Sequence, residues 1–226
     1  MAYLLLLDRE ERRAIRRERV FRDRGNPLDV YNDEELLERF WFDRASICYL
    51  ADLLAPELNT TNRSKALSPI QQVIIALRFY GTGTFQIVCG NDAEAVKSTA
   101  NKALWKVTKG LIRLRNRFIL FPRGAAADRV KYDFYHLSGE KLPGVVGAID
   151  GTHVRIQNKN DPAFINRKCY PSINVQCICS ANGEFTNVYA NWGGRTHDAF
   201  VWAQSQICEA IESGQIDDGI LVGDSA

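Results

Sequence analysis

Apolar residues recur with a helical period over the first half of this chain and gather into short runs over the second. From Asp33 to Leu54 the positions Leu36, Leu37, Phe40, Ile47, Leu50 and Leu54 predict one helix, closed by Pro56. Asn59–Ser64 reads as a polar loop. Ser68 before Pro69 marks a helix start, serine as the cap and proline in the first turn. The helix Pro69–Tyr80 would bury Ile70, Val73, Ile74 and Leu77 before Gly81-Thr82-Gly83 ends it. After Thr84–Cys89 and a turn at Gly90-Asn91-Asp92, a long helix is predicted from near Ala93. Helix, tight glycine turn and helix make a helix-turn-helix-like pattern.

Past Pro122 the texture changes. Arg123–Asp128 reads as a linker, and strands are predicted at Val145–Asp150, Val154–Gln157, Asn174–Ser180, Phe185–Ala190 and Ile220–Gly223. Ala181-Asn182-Gly183 is a hairpin turn between the third and fourth. Ala199–Ser213 has helical periodicity and stops at Gly214. The expected class is α followed by α/β. It comprises a helical arm and loop over 1–64, a helix-turn-helix-like DNA-binding module over 65–122, and a mixed β-sheet with helices over 130–226.

Composition excludes more than it selects. At 46% apolar and 25% charged residues in 226, the chain matches an ordinary globular protein. The run Leu4–Leu7 is too short for a signal sequence, and no apolar stretch is long enough to cross a bilayer. Six cysteines without a C-x-x-C pair point to reduced thiols in a cytosolic or nuclear setting, with Cys177 and Cys179 as small buried side chains of a strand.

The net charge of +2 conceals an uneven distribution. Between Asn101 and Lys131 stand Lys102, Lys106, Lys109, Arg113, Arg115, Arg117, Arg123, Arg129 and Lys131 against the single acid Asp128. On the long helix Lys102, Lys106, Lys109, Arg113 and Arg117 fall on one face, and Leu104, Val107, Leu111, Leu114 and Phe118 on another. A row of cations without interspersed acids points to DNA phosphates rather than to a solvated polar face. Arg12-Arg13 and Arg16-Arg17 in the amino-terminal arm read either as a solvated helix or as a nuclear-import patch.

The chemistry is carried by acids. Val145–Gly151 (VVGAIDG) and Gly219–Ser225 (GILVGDS) are apolar runs that each stop at an aspartate, where open α/β sheets place their ligands. If the two strands are neighbours, Asp150 and Asp224 face each other across a few ångströms and repel unless a cation lies between them. Asp198 in the run GGRTHD is a third candidate. The bland alternatives are a D-G turn at Asp150 and an N-cap at Asp198. His153 and His197 lack zinc-site spacing, so oxygen-only ligation argues for Mg²⁺ or Mn²⁺. Two such cations can activate a hydroxyl and stabilise the leaving oxygen of a phosphodiester.

The strings LPGVVGAIDGTHVRI, NRKCYPSINVQCICSANGEFTNVYANWGGRTHDAFVWAQS and ILVGDS occur in the order seen in the PIF/Harbinger superfamily of transposases. The chain resembles that family, and most of all its domesticated nuclease branch, from about Lys65 onward. The resemblance implies an RNase H-like catalytic core, a divalent cation (Mg²⁺ or Mn²⁺), and DNA as substrate. It also implies a Myb/SANT-like partner protein and a nuclear and cytoplasmic location. Its acidic metal ligands map onto Asp150, Asp198 and Asp224. Where the family has W-P-G-S before T-H-D, this chain has Trp192-Gly193-Gly194-Arg195. The family continues past the G-D-S strand into a helical region supplying a final glutamate ligand, so a carboxyl-terminally truncated, incomplete ligand set is expected here. The rival expectation is a non-catalytic DNA-binding or adaptor protein of transposase origin.

Overall fold

The structure, a computed structural model, describes residues 25–59, 66–91, 93, 95–157, 161–216 and 219–224. The arginine-rich arm and most of the polar loop before Ser64 lie outside the described residues. The chain forms two compact units, one through Arg113 and one from Leu114.

In the first unit, α1 (Pro27–Val30) leads into α2 (Asp33–Phe40) and α3 (Arg44–Leu58). The single helix expected over Asp33–Leu54 is therefore two. Trp41 adopts a left-handed conformation (φ 62°), and Asp43 then caps a fresh start by accepting from the Ser46 amide at 2.7 Å. Pro56 does not close α3; it lies inside the last turn. Helix α4 (Pro69–Thr82) begins as expected, with Ser68 and Gln71 forming a reciprocal capping box, and ends at Gly83 (φ 61°). Its residues Gln71–Leu77 are buried all round, which makes it the centre of this unit. Gln72 Nε2 donates to Leu67 O at 3.0 Å and Gln71 Nε2 to Gly25 O at 3.0 Å, which satisfies the polar groups interrupting the apolar surface.

The short segment Thr84–Cys89 is largely helical, and Gly90 and Asn91 of the expected turn belong to the same helix: α5 spans Gln86–Asn91. The long helix α6 starts at Lys97, not Ala93, and runs to Phe118. Gly90 permits the intervening corner, since a Cβ there would stand 2.3 Å from Ala95 O. A small-residue cluster of Ile75, Cys89, Ala93, Ala95, Ala100 and Ala103 locks α4, α5 and α6 together.

In the second unit Ala125–Leu137 is helix α7, so the expected linker is the helix's own alanine-rich first turn. The sheet consists of β1 (Val145–Arg155), β2 (Ser172–Cys179), β3 (Phe185–Gly193) and β4 (Ile220–Val222), in the order β3-β2-β1-β4. The first three strands are antiparallel neighbours, and β4 pairs parallel to β1. The two strands expected at Val145–Asp150 and Val154–Gln157 are one continuous β1. The hairpin turn falls where predicted, with Gly183 at φ 79°. Ala199–Ser213 divides into α8 (Asp198–Ala203) and α9 (Gln206–Glu212), because Ser205 caps α9 through the Cys208 amide. Ile178, Ile207 and Ile216 form the core between sheet and helices, flanked by Ile149, Trp202 and Leu221. The result is a mixed four-stranded sheet with helices.

Candidate carboxylate site and basic helix

Asp150 lies in mid-strand, not at a strand end or in a turn. Its Cα partner on β2 is Cys177, within an unbroken antiparallel register from Ala148↔Cys179 to Arg155↔Ser172. What ends near Asp150 is β4, whose pairing stops at Ala148↔Val222. Carrying that parallel register two residues further sets Asp224 beside Asp150, and neighbouring strands run only ~4.8 Å apart. Residues Asp150 and Asp224 border an open cavity of about 460 Å³ that is also lined by Ile149, Gln176, Asp198 and Trp202.

Asp198 reaches that cavity from helix α8, of which it is the first residue; His197 is the cap and makes no side-chain cap bond. Its carboxylate is held by the sheet instead. Asn174 Nδ2 donates to Asp198 Oδ1 at 2.7 Å and to Thr196 O at 3.0 Å, while Gln176 Nε2 donates to Asp198 O at 3.3 Å. Asn174 is only 1% exposed. These contacts invert the expected orientation of β2. In SINVQCIC the buried face carries Ser172, Asn174, Gln176 and Ile178, whereas Cys177 and Cys179 are half-buried on the other. Alternation was visible in the sequence, yet nothing local said that the polar set faces inward.

Side chains at paired positions share a face, so Asp150 rises with Cys177, and Asp198 packs on the face of Asn174 and Gln176. Burial, the neighbouring Cys179 thiol and the Asp150 carboxylate push the Cys177 thiol above its ordinary value, in that order of importance. His153 Nδ1 lies 3.2 Å from Ser172 Oγ, and the Arg167 guanidinium bonds to His197 Nδ1 at 2.6 Å. Both histidines thus serve the scaffold around the acids.

An oxygen-only donor set suits a hard divalent cation, and Asp150 with Asp224 is the pair that adjacent strands bring together. Among the described residues no group of three or more His, Cys, Asp or Glu side chains stands close enough to enclose one ion. Asp198 comes from the face of the sheet opposite to that of Asp150. Asn174 Oδ1 is buried without a partner on that face, an unmet acceptor next to the Asp198 contact.

On α6 the buried stripe is Ala100, Ala103, Leu104, Val107 and Gly110, shorter than expected; Leu111 and Leu114 are half-buried and Phe118 is exposed. Gly110 allows close approach to α3, where a Cβ would meet Leu54 Cδ2 at 2.7 Å. Lys102, Lys109, Arg113 and Arg117 are exposed and Lys106 is half-buried. The row is not free of acids in three dimensions, because Arg113 forms an ion pair with Glu57 of α3. Arg117 lies over the ring of Phe118, 5.4 Å from its centroid.

Sequence comparison relates this region to known proteins: residues 149–226 match the family model described as DDE superfamily endonuclease. The chain is 36% identical over 203 residues to "Putative nuclease HARBI1" of Rattus norvegicus and of Homo sapiens, covering 88% of this chain and 58% of each relative. It is also 25% identical over 184 residues to "Protein ALP1-like" of Arabidopsis thaliana, covering 79% of this chain and 44% of that protein. These matches bear out the resemblance to the domesticated Harbinger-derived nucleases. The chain spans little more than half the length of the two HARBI1 relatives and less than half that of the ALP1-like protein. No solved structure matches it.

Proposed function

We infer that this chain carries the DNA-cleaving core of a transposase-derived nuclease, acting on DNA phosphodiester bonds with Mg²⁺ or Mn²⁺. The observation that carries this reading is the β1–β4 register, which leads Asp224 to the side of Asp150 on a cavity wall. An antiparallel β3-β2-β1 set with β4 added parallel to β1 is the arrangement expected of an RNase H-like core. Asp150 and Asp224 would hold the cation; Asp198, which the resemblance gives as the third carboxylate, is seated by Asn174 on the other face of the sheet. A bound divalent cation lowers the pKa of the attacking hydroxyl and neutralises charge developing on the leaving oxygen. The residues of the chain fix the geometry for this: β1 and β4 set the separation of two acids, and Asn174 and Gln176 set the third.

The exposed cations Lys102, Lys109 and Arg117, with Lys106 and Arg113, contact the phosphate backbone through α6. The helices α4 to α6 are read as a helix-turn-helix-like DNA-binding module. A Myb/SANT-like protein as partner, and residence in nucleus and cytoplasm, complete the proposal by family resemblance. The test is nicking of supercoiled plasmid by the purified chain in Mg²⁺ or Mn²⁺, alongside metal titration by calorimetry. Asp150→Asn and Asp224→Asn should each abolish nicking and weaken cation binding. Unchanged nicking and cation affinity in both variants would overturn the reading. Absence of nicking by the unmodified chain would favour the non-catalytic DNA-binding adaptor, the alternative to which the non-converging carboxylates lend support.

A further inference from the structure

One corner of the second unit holds cations that the carboxylate site does not use. Arg155 ends β1; Arg167 and Lys168 occupy the tip of the 161–171 loop; Arg195 follows β3. All four are exposed. Among the described residues none of them is ion-paired with a carboxylate, unlike Arg44, Arg113 and Lys131 elsewhere in the chain.

The backbone beneath these cations is fastened unusually well for a surface loop. Asn166, 4% exposed, accepts from the amides of Lys168 (2.9 Å) and Tyr170 (3.3 Å) with Oδ1, and donates through Nδ2 to the fully buried Ser172 Oγ at 3.0 Å. Ile165 bridges to Pro171, and Ile156 N donates to Pro171 O at 3.0 Å, so the loop is stitched back onto β1. Against its other side, Gly193 and Gly194 leave no room for a side chain: a Cβ would stand 2.3 Å from Ala163 O or 2.0 Å from Ser172 Oγ. Arg195 N donates to Ala163 O at 3.2 Å. The Arg155 guanidinium rests over Tyr170, 5.3 Å from its centroid.

This platform is tied to the acids through one hydrogen bond. Arg167 bonds to His197, the cap of α8 and the residue before cavity-lining Asp198. Basic side chains on fixed backbones and without a carboxylate partner suit phosphate oxygens, because the backbone share of the ordering cost is met before binding.

We propose that Arg155, Arg167, Lys168 and Arg195 form a preformed phosphate-gripping platform that holds the DNA backbone beside the carboxylate cavity. The proposal rests on the nuclease reading for its ligand, but not for its test. Its residues are not those of the basic stripe of α6. A phosphate grip contributes salt-dependent affinity and fixes where the strand lies, while carrying no sequence information of its own.

The experiment measures binding of the full chain to a fluorescent duplex in EDTA across a salt series, so that neither metal nor cleavage enters. The variant Arg167→Gln/Lys168→Gln/Arg195→Gln should lower affinity by about tenfold or more at 0.1 M salt. It should also flatten the slope of log K against log salt by roughly two to three. Arg195→Lys, which keeps the charge, should retain the slope. If the triple variant does not fold by circular dichroism, Lys168→Gln alone should still flatten the slope by roughly one. Wild-type affinity and slope in the folded variants would overturn the platform. Failure of Asp150→Asn to affect nicking would overturn the nuclease reading and leave this measurement standing.

Discussion

The carboxylate of Asp198 occupies the space that a side chain at position 151 would need: a Cβ on Gly151 would lie 2.8 Å from Asp198 Oδ1 and 3.2 Å from Oδ2. Gly151 follows Asp150 on β1, so the D-G pair and the T-H-D run meet at one point of the sheet. The glycine serves close approach here, not a turn. Gly151→Ala should therefore drive Asp198 off its seat and cost about 1–3 kcal/mol of stability, as overpacking does. A thermal melt unchanged from wild type would contradict this contact.

Asn174 is the other half of that seat. Asn174→Ala removes the 2.7 Å bond to Asp198 and leaves the Thr196 carbonyl without its donor. The expected loss is about 1–3 kcal/mol, measured by chemical denaturation. Nicking should fall further than stability alone accounts for, since the carboxylate is freed while the fold persists. Equal activity per folded molecule would limit Asn174 to a structural role.

Cys177 offers a pH readout next to Asp150. Its thiol is raised by burial first and by Cys179 and Asp150 after that, so the reactive thiolate forms only at a pH above that of an ordinary cysteine. Alkylation should accordingly reach exposed Cys169 before Cys177. Asp150→Asn removes one of the raising charges, and the pH at which Cys177 is modified should move down. Mass spectrometry of iodoacetamide-treated protein over a pH series gives the result; an upward movement would place Asp150 away from that thiol.

The first unit has its own acid sensitivity. Asp43 is held below the usual carboxylate range by its hydrogen bonds to Ser46, so its folded pKa lies under its unfolded one. Its stabilising effect is complete above the unfolded value of about 3.8 and is lost as pH falls through the folded value. Replacing Ser68 by Ala, by contrast, removes an uncharged cap of α4 and should cost about 1 kcal/mol at any pH. Urea melts at pH 3 and pH 7 distinguish the two: Asp43→Asn should lose more of its effect at low pH than Ser68→Ala does.

Much of this protein was legible as local chemistry. Ser68-Pro69 with Gln71 determines a helix start because the cap and its partner lie three residues apart. Asn182-Gly183 determines a hairpin because glycine accepts the positive φ the turn needs. The apolar runs ending in Asp150 and Asp224 read as strands from their branched residues, although only Val145–Gly147 of β1 is fully buried and Ile220 of β4 is exposed, and the order of motifs pointed to a transposase-derived nuclease.

The tertiary structure decided what depends on residues distant in sequence. Trp41 and Ser205 each break a continuous helical period, since capping at Asp43 and Ser205 outweighs an unbroken run. In β2 both alternating sets could be buried; Asn174 and Gln176 won because α8 places Asp198 and its backbone within their reach. That choice sends Asp150 and Asp198 to opposite faces, and the β1–β4 register alone brings Asp224 beside Asp150. Periodicity reports which residues share a face, whereas only the partner packed on it determines which face is inside.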